Sequence, residues 1–265
     1  MPDEKIIQCG SAVALNDKDM PYPRVCAHRG FNTIAPENSM AAFGAAVAMG
    51  AEEIEFDLWF TKDGEIVSIH DSTLDRVANG TGKVWEYTLS ELRELDFGEK
   101  HGKYFTGMKI PTFEEILKKF ACHCIMNIHL KTEGEKHEYL DNVIKLIKKY
   151  GCENHAYIMS GQDNVLERIQ KEYPEMLRCC GAGDGKWEIV DRAIRFGCQK
   201  VQLFTEYYNQ EMIDKAHRHG IVCNYFFADT PEKTEKMLDM GIDVILSNDY
   251  NRIAQIVAKR EKYNL

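Results

Sequence analysis

What most constrains this chain is a rhythm in its second half. Apparent strands begin near His155, Met176, Gln199, Ile221 and Asp243, at steps of 21 to 23 residues, with helical patterns between them. Glycine closes helix after helix just before the next strand, at Gly50, Gly151, Gly197, Gly220 and Gly241. A residue just past a helix end often takes the left-handed conformation that side chains resist, so recurring glycines mark repeated helix-to-strand turns. Strands followed by helices fall at 24–28, 52–58, 124–130, 155–160, 176–181, 199–204, 221–227 and 243–247. Eight βα units predict an α/β protein, a (β/α)8 TIM-type barrel, formed by residues 1–265 as a single domain. The competing architecture is an open doubly wound sheet. It usually carries a glycine-rich phosphate fingerprint after its first strand, and HRGFNTIAPEN at 28–38 is not one.

Other segments fit around that frame. Residues 1–23, with Pro2, Pro21 and Pro23, read as an arm packed across one end. Helices are expected over about 39–49 with Asn38 or Ser39 as cap, from a Thr112 cap to about Phe120, and over 136–150. Residues 72–111 are broken by Gly80, Gly82, Gly98, Gly102 and Gly107, with one short helix near Ser90–Leu95 capped by Ser90. This is an insertion after the second barrel strand. A connection so long is either a lid or binding loop, or a small structural subdomain.

Composition narrows the partners. A formal net charge of −9 argues against a nucleic acid, whose phosphates that surface would repel. No apolar run approaches the roughly 20 residues of a membrane span, and the first 20 residues lack the apolar stretch of a signal peptide. The nine cysteines show no disulfide spacing and mostly lie in or just before strands. They read as reduced thiols, and the expected location is cytoplasmic. Cys122-His123-Cys124 has no second ligand pair at zinc-site spacing and reads as buried strand.

The chemistry gathers around Glu52–Asp71, EEIEFDLWFTKDGEIVSIHD. It reads as two strands joined by a two-residue type I′ turn at Asp63-Gly64. Pairing Lys62 with Glu65 across that turn puts His70 opposite Asp57, with Glu55 on the same face. The segment Ile66–His70 runs antiparallel and so is not a barrel strand. Barrel enzymes place reacting groups at the C-terminal ends of their strands. There the chain offers His28 and Arg29 after strand one, Glu55 and Asp57 on strand two, and His129 and Lys131 on strand three. Two carboxylates suit a hard divalent cation, two histidines suit acid–base work, and Arg29 with Lys131 suits an anion. Together they describe phosphoryl transfer on a small phosphate ester.

These residues sit in motifs that resemble the glycerophosphodiester phosphodiesterase family: HRG at 28–30, PENS at 36–39, IEFD at 54–57, TKDG at 61–64, HD at 70–71 and LDR at 74–76. GTG at 80–82, TLSEL at 88–92, IPTFEEIL at 110–117 and GIDVILSND at 241–249 extend the likeness over nearly the full chain. The resemblance implies an irregular phospholipase C-like phosphodiesterase barrel. It implies metal-dependent hydrolysis of a glycerophosphodiester, the small-molecule partner, to an alcohol and glycerol 3-phosphate. It makes His28 and His70 the acid–base pair, Arg29 a phosphate ligand, Glu55 and Asp57 metal ligands, and Glu37 a supporting residue. Mg²⁺ or Ca²⁺ is the expected cation.

Two departures stand out. Where the family has N-x-E-x-K on strand three, this chain reads Asn127-Ile128-His129-Leu130-Lys131. An imidazole in the third ligand position shifts the preference towards Mn²⁺ or Zn²⁺. Where the family has W-T-V-N on strand seven, Tyr225-Phe226-Phe227-Ala228 stands, which makes Tyr225 part of a more apolar substrate wall. Two alternatives remain: a catalytically silent phosphate-binding relative, and a metal-free phospholipase C-like enzyme.

Overall fold

Alternation along each strand decides which residues meet the helices and which meet the barrel axis. The computed structural model describes residues 15–121, 123–131, 137–183 and 185–265. Its strands are β1 (Arg24–Ala27), β2 (Glu53–Phe60), β3 (Ile66–Ser68), β4 (Ile125–Leu130), β5 (Ala156–Ser160), β6 (Leu177–Cys180), β7 (Lys200–Phe204), β8 (Val222–Phe226) and β9 (Val244–Ser247). All but β3 pair in parallel, and the ring closes because β1 bonds both β9 and β2. On β2, Ile54, Phe56 and Leu58 join the main apolar cluster under the helices. Glu53, Glu55 and Asp57, one residue out of phase, enter the lumen and are buried there.

The helices are α1 (Met40–Ala48), α2 (Leu89–Glu94), α3 (Phe113–Phe120), α4 (His137–Lys149), α5 (Asp163–Glu172), α6 (Ile189–Arg195), α7 (Gln210–Arg218), α8 (Pro231–Asp239) and α9 (Tyr250–Val257). All five helix-closing glycines have positive φ, between 57° and 89°. Ser39 caps α1 and Thr112 caps α3, the latter in a capping box with Glu115. For α2 the cap is Thr88, not Ser90. The spacing Thr88-x-x-Glu91 lets each side chain satisfy the other's backbone donor, which Ser90 followed by Arg93 cannot do. No helix among the described residues is long and apolar enough to cross a membrane. The described cysteines are free and buried; Cys9 and Cys122 lie outside the described residues.

The hairpin differs from the sequence expectation. Thr61 N–H donates to the Glu65 carbonyl, so the loop is Lys62-Asp63-Gly64, and only Gly64 takes positive φ, at 85°. This is the three-residue hairpin loop rather than type I′. The register becomes Leu58↔Ser68, Trp59↔Val67 and Phe60↔Ile66. Asp57 therefore faces Ile69, whose N–H donates to the Asp57 carbonyl, and not His70. A one-residue slip reverses the faces of a strand. His70 reaches the lumen mouth because the chain leaves the ladder after Ile69.

Residues 72–111 pack Leu74, Val77, Val84, Leu92, Phe97 and Ile110 against Trp59 and Val67, forming their own small core beside β2. At the opposite end of the lumen, Asp17 of the N-terminal arm binds Arg24 at 2.6 Å and Lys200 at 2.9 Å. Glu53 lies 3.5 Å from Arg24 and accepts from the Tyr157 hydroxyl. Residues 1–14 of the arm lie outside the described residues.

Candidate active site

At the C-terminal mouth of the barrel a cavity of about 410 Å³ is lined by His28, Arg29, Glu55, Asp57, His70, His129 and Lys131, with Met159, Gln202, Phe204 and Phe226 among its other walls. The parallel register puts Asp57 and His129 side by side on β2 and β4, and their side chains meet at 3.0 Å between Oδ1 and Nδ1. Lys131 Nζ reaches the same Oδ1 at 3.1 Å. Asp57 Oδ2 accepts from Asn38 Nδ2 at 2.9 Å and lies 3.5 Å from Arg29 Nε. Glu55 Oε2 accepts the Arg29 backbone N–H at 3.0 Å and lies 3.9 Å from His28 Nε2.

Arg29 and Asn38 both hold positive φ, 55° and 53°. Non-glycine residues take that conformation when surrounding contacts over-determine it. Here the turn aims the Arg29 amide at Glu55. The Asn38 amide grips Asp57 from both sides, since its Oδ1 also accepts the Asp57 N–H at 3.0 Å.

Two of the three cavity histidines have Nδ1 fixed by a partner. Asn248 Nδ2 donates to Asp229 at 2.7 Å and its Oδ1 accepts from Asn32 at 2.6 Å. Its Oδ1 lies 2.8 Å from His28 Nδ1, so that ring nitrogen carries the hydrogen and Nε2 is left bare. His70 Nδ1 sits 2.6 Å from Asp71 Oδ1, while Arg76 Nε holds Oδ2 of that carboxylate at 2.6 Å. Arg76 also grips Glu37 with two nitrogens, at 2.8 and 2.7 Å, and Glu37 in turn binds Arg29 at 3.0 Å.

Electrostatics separate the groups. Burial, with Arg29 beside it, pushes His28 down to about 4 despite the bond to Asn248. Burial and Lys131 likewise push His129 down to about 4. Burial acts to raise Asp57, but Lys131 and His129 hold it well below the carboxylate range. Burial and the neighbouring Asp57 charge raise Glu55. Two adjacent carboxylates thus occupy opposite protonation tendencies, as expected when like charges share a site.

The sequence model of the Glycerophosphoryl diester phosphodiesterase family matches residues 28–252. The chain belongs to that family. It is 33% identical over 243 residues to a glycerophosphodiester phosphodiesterase of Caldanaerobacter subterraneus, covering 89% of this chain and 98% of the relative. A glycerophosphodiester phosphodiesterase of Bacillus subtilis is 28% identical over 245 residues, covering 84% of this chain and 82% of that protein. The barrel superposes with a TM-score of 0.83 on an Oleispira antarctica phosphodiesterase solved with its product sn-glycerol-3-phosphate, at 23% identity, covering 90% and 98% of the two chains. As a glycerophosphodiester phosphodiesterase family member, the chain is a phosphoric diester hydrolase.

Within this family member, nearly every sequence-expected residue lines or borders one cavity. Glu37 stands behind Arg29 rather than in the cavity wall. Tyr225 is a correction. It points out of the lumen, 1% exposed, with its hydroxyl donating to the Thr205 carbonyl at 2.6 Å. Phe226 faces the cavity instead, edge-on to His28 at 4.8 Å. Sequence reasoning assigned no role to Asn248, Asp71 or Arg76 and saw Asn38 only as a cap, although all four lie inside the quoted motifs.

Proposed function

We propose that this chain hydrolyses glycerophosphodiesters to an alcohol and sn-glycerol 3-phosphate, with His28 and His70 as acid–base pair and a divalent cation bound by Glu55, Asp57 and His129. The observation that carries this reading is the convergence of two imidazoles with fixed tautomers on one cavity that also holds two carboxylates, Arg29 and Lys131. The relative solved with sn-glycerol-3-phosphate supports the product assignment.

The donor set fits a metal. One ligand atom each from Glu55, Asp57 and His129 lie within 4.8 Å of one another, and the two carboxylates are buried beside each other. A divalent cation bound there would draw charge from a phosphoryl oxygen and favour attack at phosphorus. His28 takes the proton of the attacking water through its bare Nε2, since burial keeps that ring neutral. His70, oriented by Asp71, gives a proton to the oxygen of the departing alcohol. Arg29 and Lys131 hold the phosphate oxygens, and the Glu37 carboxylate keeps the Arg29 fork aimed.

The test is a metal titration of chelator-treated protein on a water-soluble glycerophosphodiester, with the phosphate product identified. Release of sn-glycerol 3-phosphate only after a divalent ion is added supports the reading. Full activity without metal favours the metal-free phospholipase C-like alternative. Binding of the diester without turnover at any metal favours the silent relative.

A further inference from the structure

Away from the mouth, the closed end of the barrel carries a group of mixed donors on its outer face. β8 turns Asn224 into the lumen, where its amide donates to the Tyr157 hydroxyl at 2.8 Å. Alternation therefore sends Cys223 outward, beneath the helices, where it is buried. Asp243 is fixed beside it twice over. Its backbone N–H donates to the Cys223 carbonyl at 3.0 Å, and its Oδ2 accepts the Cys223 N–H at 2.6 Å. The last turn of α7 supplies His217, whose Nε2 lies 3.0 Å from the same Oδ2. Ligand atoms of His217, Cys223 and Asp243 all fall within 4.8 Å of one another.

An imidazole–carboxylate hydrogen bond accounts for His217 and Asp243 but not for the thiol beside them. Cys223 is a free cysteine, and among the described residues its Sγ makes no hydrogen bond. A sulfur, a ring nitrogen and a carboxylate oxygen form the mixed set that Zn²⁺ takes, whereas Mg²⁺ and Ca²⁺ seek oxygen alone. The surroundings complete the picture. The Tyr263 hydroxyl donates to Asp243 Oδ1 at 2.6 Å and so holds the carboxylate from behind, as outer partners of metal ligands do. The His217 side chain is 27% exposed while that of Asp243 is fully buried. An ion thus has a path in from solvent past the imidazole.

We propose that His217, Cys223 and Asp243 form a zinc site on the floor of the barrel, apart from the cavity at its mouth, with water completing the coordination. It stands independently of the phosphodiesterase reading. On binding, the Cys223 thiol loses its hydrogen as a proton and Nε2 of His217 turns its lone pair to the ion, so affinity falls in acid. The role is structural. A single ion joins the end of α7 to β8 and to the start of β9, and through Tyr263 to the C-terminal segment.

The probe is Co²⁺, which adopts zinc geometry and gains an intense near-ultraviolet charge-transfer band when a thiolate binds it. The cluster of Glu55, Asp57 and His129 contains no sulfur and is silent in this measurement. Chelator-treated full-length protein titrated with Co²⁺ at neutral pH should develop the band, and Zn²⁺ added afterwards should bleach it. Cys223→Ser should abolish the band, and His217→Gln should weaken the Co²⁺ affinity read from it on the order of 10- to 100-fold. No band in the wild type overturns the proposal, as does a band that survives in Cys223→Ser or an affinity that His217→Gln leaves unchanged. If Cys223→Ser does not fold, His217→Gln, at the partly exposed position, decides the matter alone.

Discussion

The barrel lumen holds two clusters of buried charge among the described residues, one at each end, and the C-terminal one lines the cavity at the mouth. At the closed end, Arg24 and Lys200 face Asp17 and Glu53, two cations against two anions, all but excluded from water. Burial works against the Lys200 charge, yet Asp17 and Glu53 raise its pKa above the ordinary value. Burial also works against the charge of Asp17, yet Lys200 and Arg24 lower its pKa. At the open end one carboxylate, Asp57, is held by Arg29, Asn38, His129 and Lys131 together. Its neighbour Glu55 receives one backbone N–H and is raised. Buried charge is costly wherever it occurs. What separates the two ends is that the closed end is balanced internally, while the open end leaves a carboxylate and the bare His28 nitrogen facing a cavity.

The comparison can be broken at either end. The largest effect is expected at the two imidazoles proposed to react: His28→Ala or His70→Ala should lower kcat on the order of 10²–10⁴-fold with little change in melting temperature. An active His70→Ala enzyme with near-normal turnover would remove it from the mechanism. The mirror experiment is Asp17→Ala, which strips Arg24 and Lys200 of their nearest anion. It should destabilise the fold by about 3 kcal/mol while leaving kcat of the folded protein unchanged, measured by denaturant unfolding beside steady-state rates.

Acid should sharpen the contrast, because the two ends titrate in different windows. His28 and His129 have folded pKa values near 4 against an ordinary 6.5. Between those values the unfolded chain binds more protons, so stability falls as pH drops from about 6.5 to about 4. Asp17 is depressed from 3.8, and its contribution is present above that value and lost only at lower pH. Unfolding measured at steps from pH 7 to pH 3 should show the first loss shrink in a His28→Gln, His129→Gln double variant and persist in Asp17→Asn, with the lowered His155 adding to it and the raised Glu55 opposing it. A loss of equal size in all three proteins would assign it elsewhere.

The smallest expected change is in metal choice. An imidazole binds a divalent ion only when unprotonated, and it favours Mn²⁺ or Zn²⁺ over Mg²⁺ or Ca²⁺. His129→Glu supplies an oxygen ligand and a charge, and should shift activation towards Mg²⁺ or Ca²⁺ by about tenfold. Identical metal profiles for the two proteins would mean that His129 only hydrogen-bonds Asp57.

The architecture was legible because each helix-to-strand turn needs a left-handed residue, and this chain marks those turns with glycine. The groups at the open end were legible because strand ends are read directly from position. The hairpin register was not, since a loop of two or of three residues can be built around the same Asp63-Gly64 pair. Tyr225 was misassigned for a related reason. Tyr-Phe-Phe has no alternation of polarity, so nothing in that run shows which residue faces inward. The amides were missed because an asparagine bonds to whatever it meets. Asn248 finds His28 at a separation of 220 residues, and only the closed ring of strands brings them together.

Arg76 ties the insertion to the rest of the mouth. Its guanidinium holds Asp71, and through it His70, on one side, and Glu37, and through it Arg29, on the other. His70 and Arg29, the proposed proton donor and phosphate ligand, are thus wired to a single exposed side chain belonging to a segment outside the βα repeat. A barrel that has closed its eight strands has still not finished its site; that happens only when residues 72–111 fold onto β2 and bring the arginine with them. For anyone exchanging this segment between relatives, the unit to transplant is therefore His70 through Arg76 with its counterpart Glu37, and not the loop alone.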